Sequence, residues 1–221
     1  MNFHLLPPSH PTRKILEPLF RCSSVIDDEA TFQEAGFETQ VKRLRSLMRV
    51  ATHPELPKYV FKVFFVNERQ CEREKPRGWK GFSTRCKGAE RIRKIIQERG
   101  ILHFQVPRKW LFYPPHHPSC SPDDQPMILV AEYQDLLSRE ENEHAWLNSI
   151  TEHHLDELCA IIDYAGGASY RPDNIPLTKQ GQFSFIDTEH SSENRDYESI
   201  SPYLAPQMRQ YWSNLIKSKV K

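Results

Sequence analysis

The sequence predicts an α+β fold in two parts, mostly strands first and mostly helices after. Three observations predict it. The run YVFKVFFV at 59–66 is β-branched or aromatic at nearly every position and is bounded by Pro57 and Asn67, as a buried strand would be. A second apolar run, MILVAEY at 127–133, has the same character. Apolar residues recur at helical intervals over 83–99 and again over 143–165. This order divides the chain into an arm at 1–29, a strand-rich part with one helix at 30–134, and a small helical part at 135–221.

Length and composition narrow the function classes. A chain of 221 residues can bury a core, as one domain or as two small lobes. Lys plus Arg number 30 and Asp plus Glu 29, so the chain lacks the cationic surplus of a protein that binds nucleic acid by neutralising phosphates. Seventeen prolines against eight glycines predict fixed turns and leave no glycine-rich phosphate loop. The five cysteines are scattered without any Cys-x-x-Cys spacing, which favours reduced thiols over a disulfide frame or a zinc site. The short apolar run before Pro7 and Pro8 is neither a secretory signal nor a membrane span. The expectation is a cytoplasmic monomer, or one delivered by a specialised secretion system, with a protein substrate or partner and no membrane or nucleic acid.

Each element has its own warrant. The arm carries one apolar patch at 15–20 and is expected to pack on the domain or remain partly disordered. Over 30–49, Phe32, Phe37, Val41, Leu44, Leu47 and Met48 recur at helix-like intervals, with Gly36 as an interruption, so a core-facing helix is expected in part of it. Lys62 sits inside the strand at 59–66. Alternation lets it point to water, and a charge placed on purpose is the other reading. The charged loop at 69–80 leads to a helix that Ser83 or Thr84 can cap and that Gly100 can end. Its apolar face holds Ala89, Ile92, Ile95 and Ile96. Arg85, Lys87, Arg91, Arg93 and Lys94 form a basic face, read as solvated. Residues 103–106 and 110–113 read as a strand pair around Pro107. The loop at 114–126 is rich in proline and histidine, but adjacent His116 and His117 do not readily face one metal, and His144, His153 and His154 lack ligand partners at useful spacing. One long helix is expected over 143–165, stopped by Gly166 and Gly167, and a last helix over 205–217.

The stretch at 170–190 is the most informative. Ile175 and Leu177 alternate with polar neighbours, Lys179-Gln180-Gly181 is a turn, and Phe183, Phe185 and Ile186 form the returning strand. Asn174 precedes the first strand and Asp187 follows the second, so both lie at the open end of the hairpin. An amide oxygen and a carboxylate held together suit a hard cation such as Mg²⁺. An ordinary hairpin with a polar rim explains the same residues.

Asn174-Ile175-x-Leu177, the glycine turn and Phe185-Ile186-Asp187 resemble the catalytic-loop and metal-binding segment of the protein-kinase-like superfamily. The resemblance spans roughly 47–190 and implies a two-lobed protein-kinase-like fold with a small C-terminal lobe. It implies ATP and Mg²⁺ as ligands, with Asn174 and Asp187 on the metal and Lys62 on the α- and β-phosphates. A glutamate of the helix at 83–99 would pair with Lys62. Glu90 and Glu98 both lie off the apolar stripe, roughly 160° and 120° from Ile92, and Glu90 is chosen as the one nearer the helix start. Glu132 and Tyr133, with Gln134, occupy the place where the family's backbone holds adenine.

Two departures bear on activity. Asp187-Thr188-Glu189 stands where the family has Asp-Phe-Gly, and Ser169 stands where it has its catalytic aspartate. A serine hydroxyl is no proton acceptor near neutral pH, which leaves Asp173 as the nearest carboxylate and Asp163 further upstream. The implied function is an atypical transferase that moves a phosphoryl or nucleotidyl group to a protein. A pseudokinase acting as a non-catalytic interaction module is the alternative, and a small α+β interaction protein without nucleotide is the third reading.

Overall fold

The structure is a computed structural model and describes residues 4–42, 47–71, 80–115, 118, 120, 125–167, 170–188 and 195–219. Among these, the helices are α1 Pro11–Leu19, α2 Glu29–Glu34, α3 Val66–Cys71, α4 Lys80–Arg99, α5 Arg139–Asn148, α6 Glu152–Ala165 and α7 Pro206–Lys219. The strands are β1 Glu38–Lys42, β2 Met48–Thr52, β3 Tyr59–Phe64, β4 Phe104–Gln105, β5 Lys109–Phe112, β6 Ile128–Glu132 and β7 Phe183–Ser184. The fold is α+β, in two compact units: Met1–Cys86 with Arg108–Tyr133, and Lys87–Pro107 with Gln134–Lys221.

The first unit is built on a five-stranded antiparallel sheet in the order β1-β2-β3-β6-β5. The apolar runs at 59–66 and 127–133 supply β3 and β6, paired so that Lys62 stands opposite Leu129. Phe20, Phe32, Phe37, Phe61 and Phe65 fill the core. The arm is ordered here. Its Leu6 amide donates to the Leu111 carbonyl at 2.9 Å and its His4 carbonyl accepts from the Leu111 amide at 2.7 Å, so it covers the edge of β5. Leu16 of α1 and Phe20 beyond it are then buried.

The helix expected within 30–49 stops after six residues. Asp28 caps it, accepting from the Thr31 amide while the Thr31 hydroxyl accepts from the Asp28 amide. The Thr31 amide, helped by that hydroxyl, holds the Asp28 carboxyl below its ordinary pKa. The cap therefore contributes fully above the unfolded carboxylate range and fades as pH falls through the folded value. Gly36 then turns the chain at φ +90°, and Phe37 stacks on Phe32 with ring centroids 4.1 Å apart. The apolar spacing that read as one helix is met across this turn, and Val41 and Met48 belong to strands β1 and β2.

The second unit packs α5, α6 and α7 around Trp146, Leu158, Ile161, Ile162, Phe183, Phe185 and Trp212. The long helix expected over 143–165 is two helices. Ser138 and Glu141 box the start of α5, and Thr151 and His154 box the start of α6, so 149–151 is a break with its own cap. The expected strand pair around Pro107 does not form either. β4 pairs in parallel with β7, whereas β5 pairs with β6. Proline biases its own residue and the one before it to extended conformations, so the chain runs on through Pro107 instead of folding back.

Gly36 is a position where the fold needs glycine. A Cβ there would sit 2.9 Å from His53 Nε2 and would force an L-residue to positive φ. Gly36→Ala is expected to lower stability by about 1–2 kcal/mol, read from the urea unfolding midpoint at unchanged slope.

Candidate functional site

The hairpin nominated by sequence forms within the second unit. Leu177 bridges Phe183, the Ser184 amide donates to the Pro176 carbonyl at 2.8 Å, and Gly181 takes φ +86° in the turn. At its open end the Ile186 amide donates to the Asn174 carbonyl at 3.0 Å. That bond makes the backbones of Asn174 and Ile186 neighbours, with Asp187 next along the chain. Asn174 is buried and Asp187 is half-buried.

Two side chains of α5 hold this end in place. Asn142, itself buried, donates from Nδ2 to the Pro172 carbonyl at 2.8 Å and accepts at Oδ1 from the Leu177 amide at 2.9 Å. Trp146 donates from Nε1 to the Ile175 carbonyl at 3.0 Å. Neither residue was nominated by sequence. Their offset of four on one helix face was visible, but nothing in the pattern told a buried amide from a solvated one.

Asp187 is held from its other side as well. Thr188 is buried against α4, where a Cβ on Gly88 would stand only 2.3 Å from the Thr188 carbonyl oxygen. Gly88 is thus the residue that lets the chain after Asp187 lie on the helix backbone. The sequence hint was a glycine inside a helical pattern, which calls for a packing reason.

The other nominated residues are placed as follows. Lys62 is buried in β3, which removes the reading in which it points to water. Lys109 is buried too, and the register puts it on the same sheet face: Lys62 pairs with Leu129 and Lys109 with Ala131, two positions along β6. Glu132 accepts from the Arg108 amide at Oε2, and its own amide donates to the Arg108 carbonyl. The exposed Tyr133 donates its amide to the Lys58 carbonyl. The amides of Glu132 and Tyr133 therefore serve the sheet. Glu90 is exposed on α4. Arg85, expected on a solvated basic face, is instead buried, its guanidinium 5.7 Å from the centre of the Phe82 ring.

Of the carboxylates considered as a base, Asp173 is exposed and lies 3.4 Å from Arg171 Nε. Asp163 is tied to the Tyr197 hydroxyl and to Lys219 Nζ, the latter at 3.1 Å. Those two partners give it a structural role. Ser169 and Glu189 lie outside the described residues.

Sequence reasoning missed a cluster altogether. His153, judged to lack partners, lies on α6 one turn from Glu157, and the chain before β4 brings His103 to both. His154 faces the same cluster with its ring 4.3 Å from that of His103. Burial lowers its pKa below the ordinary imidazole value, and the neighbouring His103 lowers it further. The signal in the sequence was the His-x-x-x-Glu spacing at 153–157. The third member is fifty residues away and needed the fold to reach it.

No protein-family model matches the chain, and no curated protein matches it. Among solved structures, similarity is found to WbdD at 13% identity over 81% of this chain, with a TM-score of 0.36. It is found to Rv3197 from Mycobacterium tuberculosis, solved with erythromycin, at 14% identity over 84% and a TM-score of 0.41. It is also found to the MAP kinase LmaMPK10 from Leishmania major at 15% identity over 76% and a TM-score of 0.36. The matches take in 37%, 52% and 51% of those three chains. At these scores the likeness does not establish a shared fold.

Gly88→Ala tests the close approach. The Thr188 carbonyl would have to move, and the expected cost is about 1–3 kcal/mol of stability, measured by urea denaturation. An unchanged midpoint would mean that Thr188 does not rest on α4.

Proposed function

We propose that this chain binds ATP with Mg²⁺ in the manner of the protein-kinase-like superfamily and transfers a phosphoryl or nucleotidyl group to a protein. The observation that carries the reading is the bond from the Ile186 amide to the Asn174 carbonyl, which brings an amide oxygen donor and a carboxylate to one end of one hairpin. Hard oxygen donors fit Mg²⁺, which keeps waters and phosphate oxygens as its other ligands. In this reading Asn174 and Asp187 hold the metal, Lys62 neutralises phosphate charge, and Glu90 orients Lys62. Glu132 and Tyr133 receive the adenine at their backbone. Asp173 serves as the base, at an exposed position beside Arg171.

Little covalent help is asked of the protein in phosphoryl transfer, where positioning and charge neutralisation do most of the work. Ser169 at the family's catalytic position supports the second reading, a pseudokinase that binds nucleotide and partner without turnover.

The first test is thermal unfolding with ATP and Mg²⁺. At a hundredfold excess over the dissociation constant the gain is about 2.7 kcal/mol, which raises the midpoint by about 5–10 °C in a chain of this size. Asp187→Ala should remove the metal-dependent part of that rise, and Lys62→Met should reduce the rise itself. No change with any nucleotide or divalent ion would end both kinase-like readings.

Transfer of label from ATP then separates enzyme from pseudoenzyme. General-base help is worth about 10²–10⁴-fold, so Asp173→Asn should lower turnover by that order while nucleotide binding persists. If the base is simply missing, Ser169→Asp should raise turnover. Binding without transfer in either protein leaves the pseudokinase.

A further inference from the structure

The cluster on α6 is built independently of the nucleotide reading. Residues four apart share a helix face, so His153 and Glu157 project together. Glu157 is nearly buried, with 8% of its side chain exposed. Two backbone amides of the chain leading into β4 hold its carboxylate: Leu102 donates to Oε1 and His103 to Oε2, each at 3.1 Å. Two imidazoles face the same carboxylate. His103 Nδ1 lies 3.1 Å from Oε2 and His153 Nε2 lies 3.5 Å from Oε1.

These spacings suit a metal. The three ligand atoms lie within 4.8 Å of one another. Bonds of about 2.0–2.1 Å in a tetrahedron place neighbouring ligand atoms about 3.3 Å apart, and the two observed separations bracket that length. Burial of the carboxylate favours a cation beside it, since a desolvated charge is costly unless paired. The imidazoles are the accessible side, with 34% of the His103 side chain and 65% of the His153 side chain exposed, so a water has a way in. His154 is not a third imidazole ligand through Nδ1, which is engaged by the Thr151 hydroxyl.

We propose that His103, His153 and Glu157 form a binding site for a divalent transition ion of the Zn²⁺ class, with water in the fourth position. Two imidazole nitrogens with one carboxylate are borderline donors that suit Zn²⁺ and Co²⁺ and do not suit Mg²⁺ or Ca²⁺, which take oxygen. The ion joins α6 to the start of β4. The His103 carbonyl also accepts the Phe183 amide at 2.9 Å, so fixing His103 fixes the pairing of β4 with β7.

The test uses the full chain stripped with a chelator and titrated with Co²⁺ alone, without nucleotide. One equivalent should produce the visible d–d absorption of tetrahedral Co²⁺, and Zn²⁺ should displace it. His153→Gln removes a largely exposed ligand and should leave the fold intact while weakening Co²⁺ binding about tenfold or more. His103→Gln should do the same, and His144→Ala should not. Zn²⁺ should raise the unfolding midpoint of the parent but not of His153→Gln, and Mg²⁺ should raise neither. Absence of the absorption, or an absorption unchanged in both His103→Gln and His153→Gln, would show that the cluster is only a hydrogen-bonded carboxylate and would overturn the proposal.

Discussion

The candidate site depends on one buried amide. Asn142 is buried, and both ends of its side chain find partners in the protein. It finds them at Pro172 and Leu177, on either side of Asn174. An α5 residue thereby sets the shape of the loop around Asn174, and Trp146 adds a third bond to Ile175 from one turn further on. Removing the amide would leave the buried Pro172 carbonyl and the half-buried Leu177 amide without these partners, at about 1–3 kcal/mol for the buried one.

The sheet of the first unit raises the same question with charge. Lys62 and Lys109 are buried on one face, and Arg49 is buried on the opposite face, since it pairs with Val63. Arg49 has its answer within the unit: Glu68 at 2.6 Å and Glu29 at 3.8 Å. That face carries a structural ion pair, and breaking such a pair from one side would strand a buried charge. The face of Lys62 and Lys109 carries two buried cations within three neighbouring strands.

Much of this was legible in the chain. Strands β3 and β6 were plain because every position in them except Lys62 and Glu132 is apolar. The hairpin was plain because its turn needs glycine. The helix expected in part of 30–49 covers only Glu29–Glu34, because Phe32 and Phe37 meet across a turn, and periodicity cannot tell stacking across a turn from stacking along a helix. The single helix proposed over 143–165 failed because a Thr-x-x-His cap box at 151–154 is a weaker sequence mark than a glycine or proline. The burial of Lys62, Lys109 and Arg85 was illegible because alternation assigns a face but not what covers it. Gly88 was hinted at only as a glycine inside a helix, since what makes it necessary is a backbone that returns a hundred residues later.

Two carboxylates of the second unit have unlike surroundings. Asp187 follows a hairpin whose other donor is an amide oxygen, whereas Glu157 is faced by two imidazoles. Oxygen sets select hard ions and imidazole sets select borderline ones, so the two proposed sites would take different ions. They are nevertheless mechanically joined. The ladder of β4 and β7 begins with the Phe183 amide on the His103 carbonyl and continues with the Phe185 amide on the Gln105 carbonyl, two residues short of Asp187. Whatever fixes the His103 backbone thus fixes the strand from which Asp187 extends. A ladder of two residue pairs is short enough that such an anchor matters to its register.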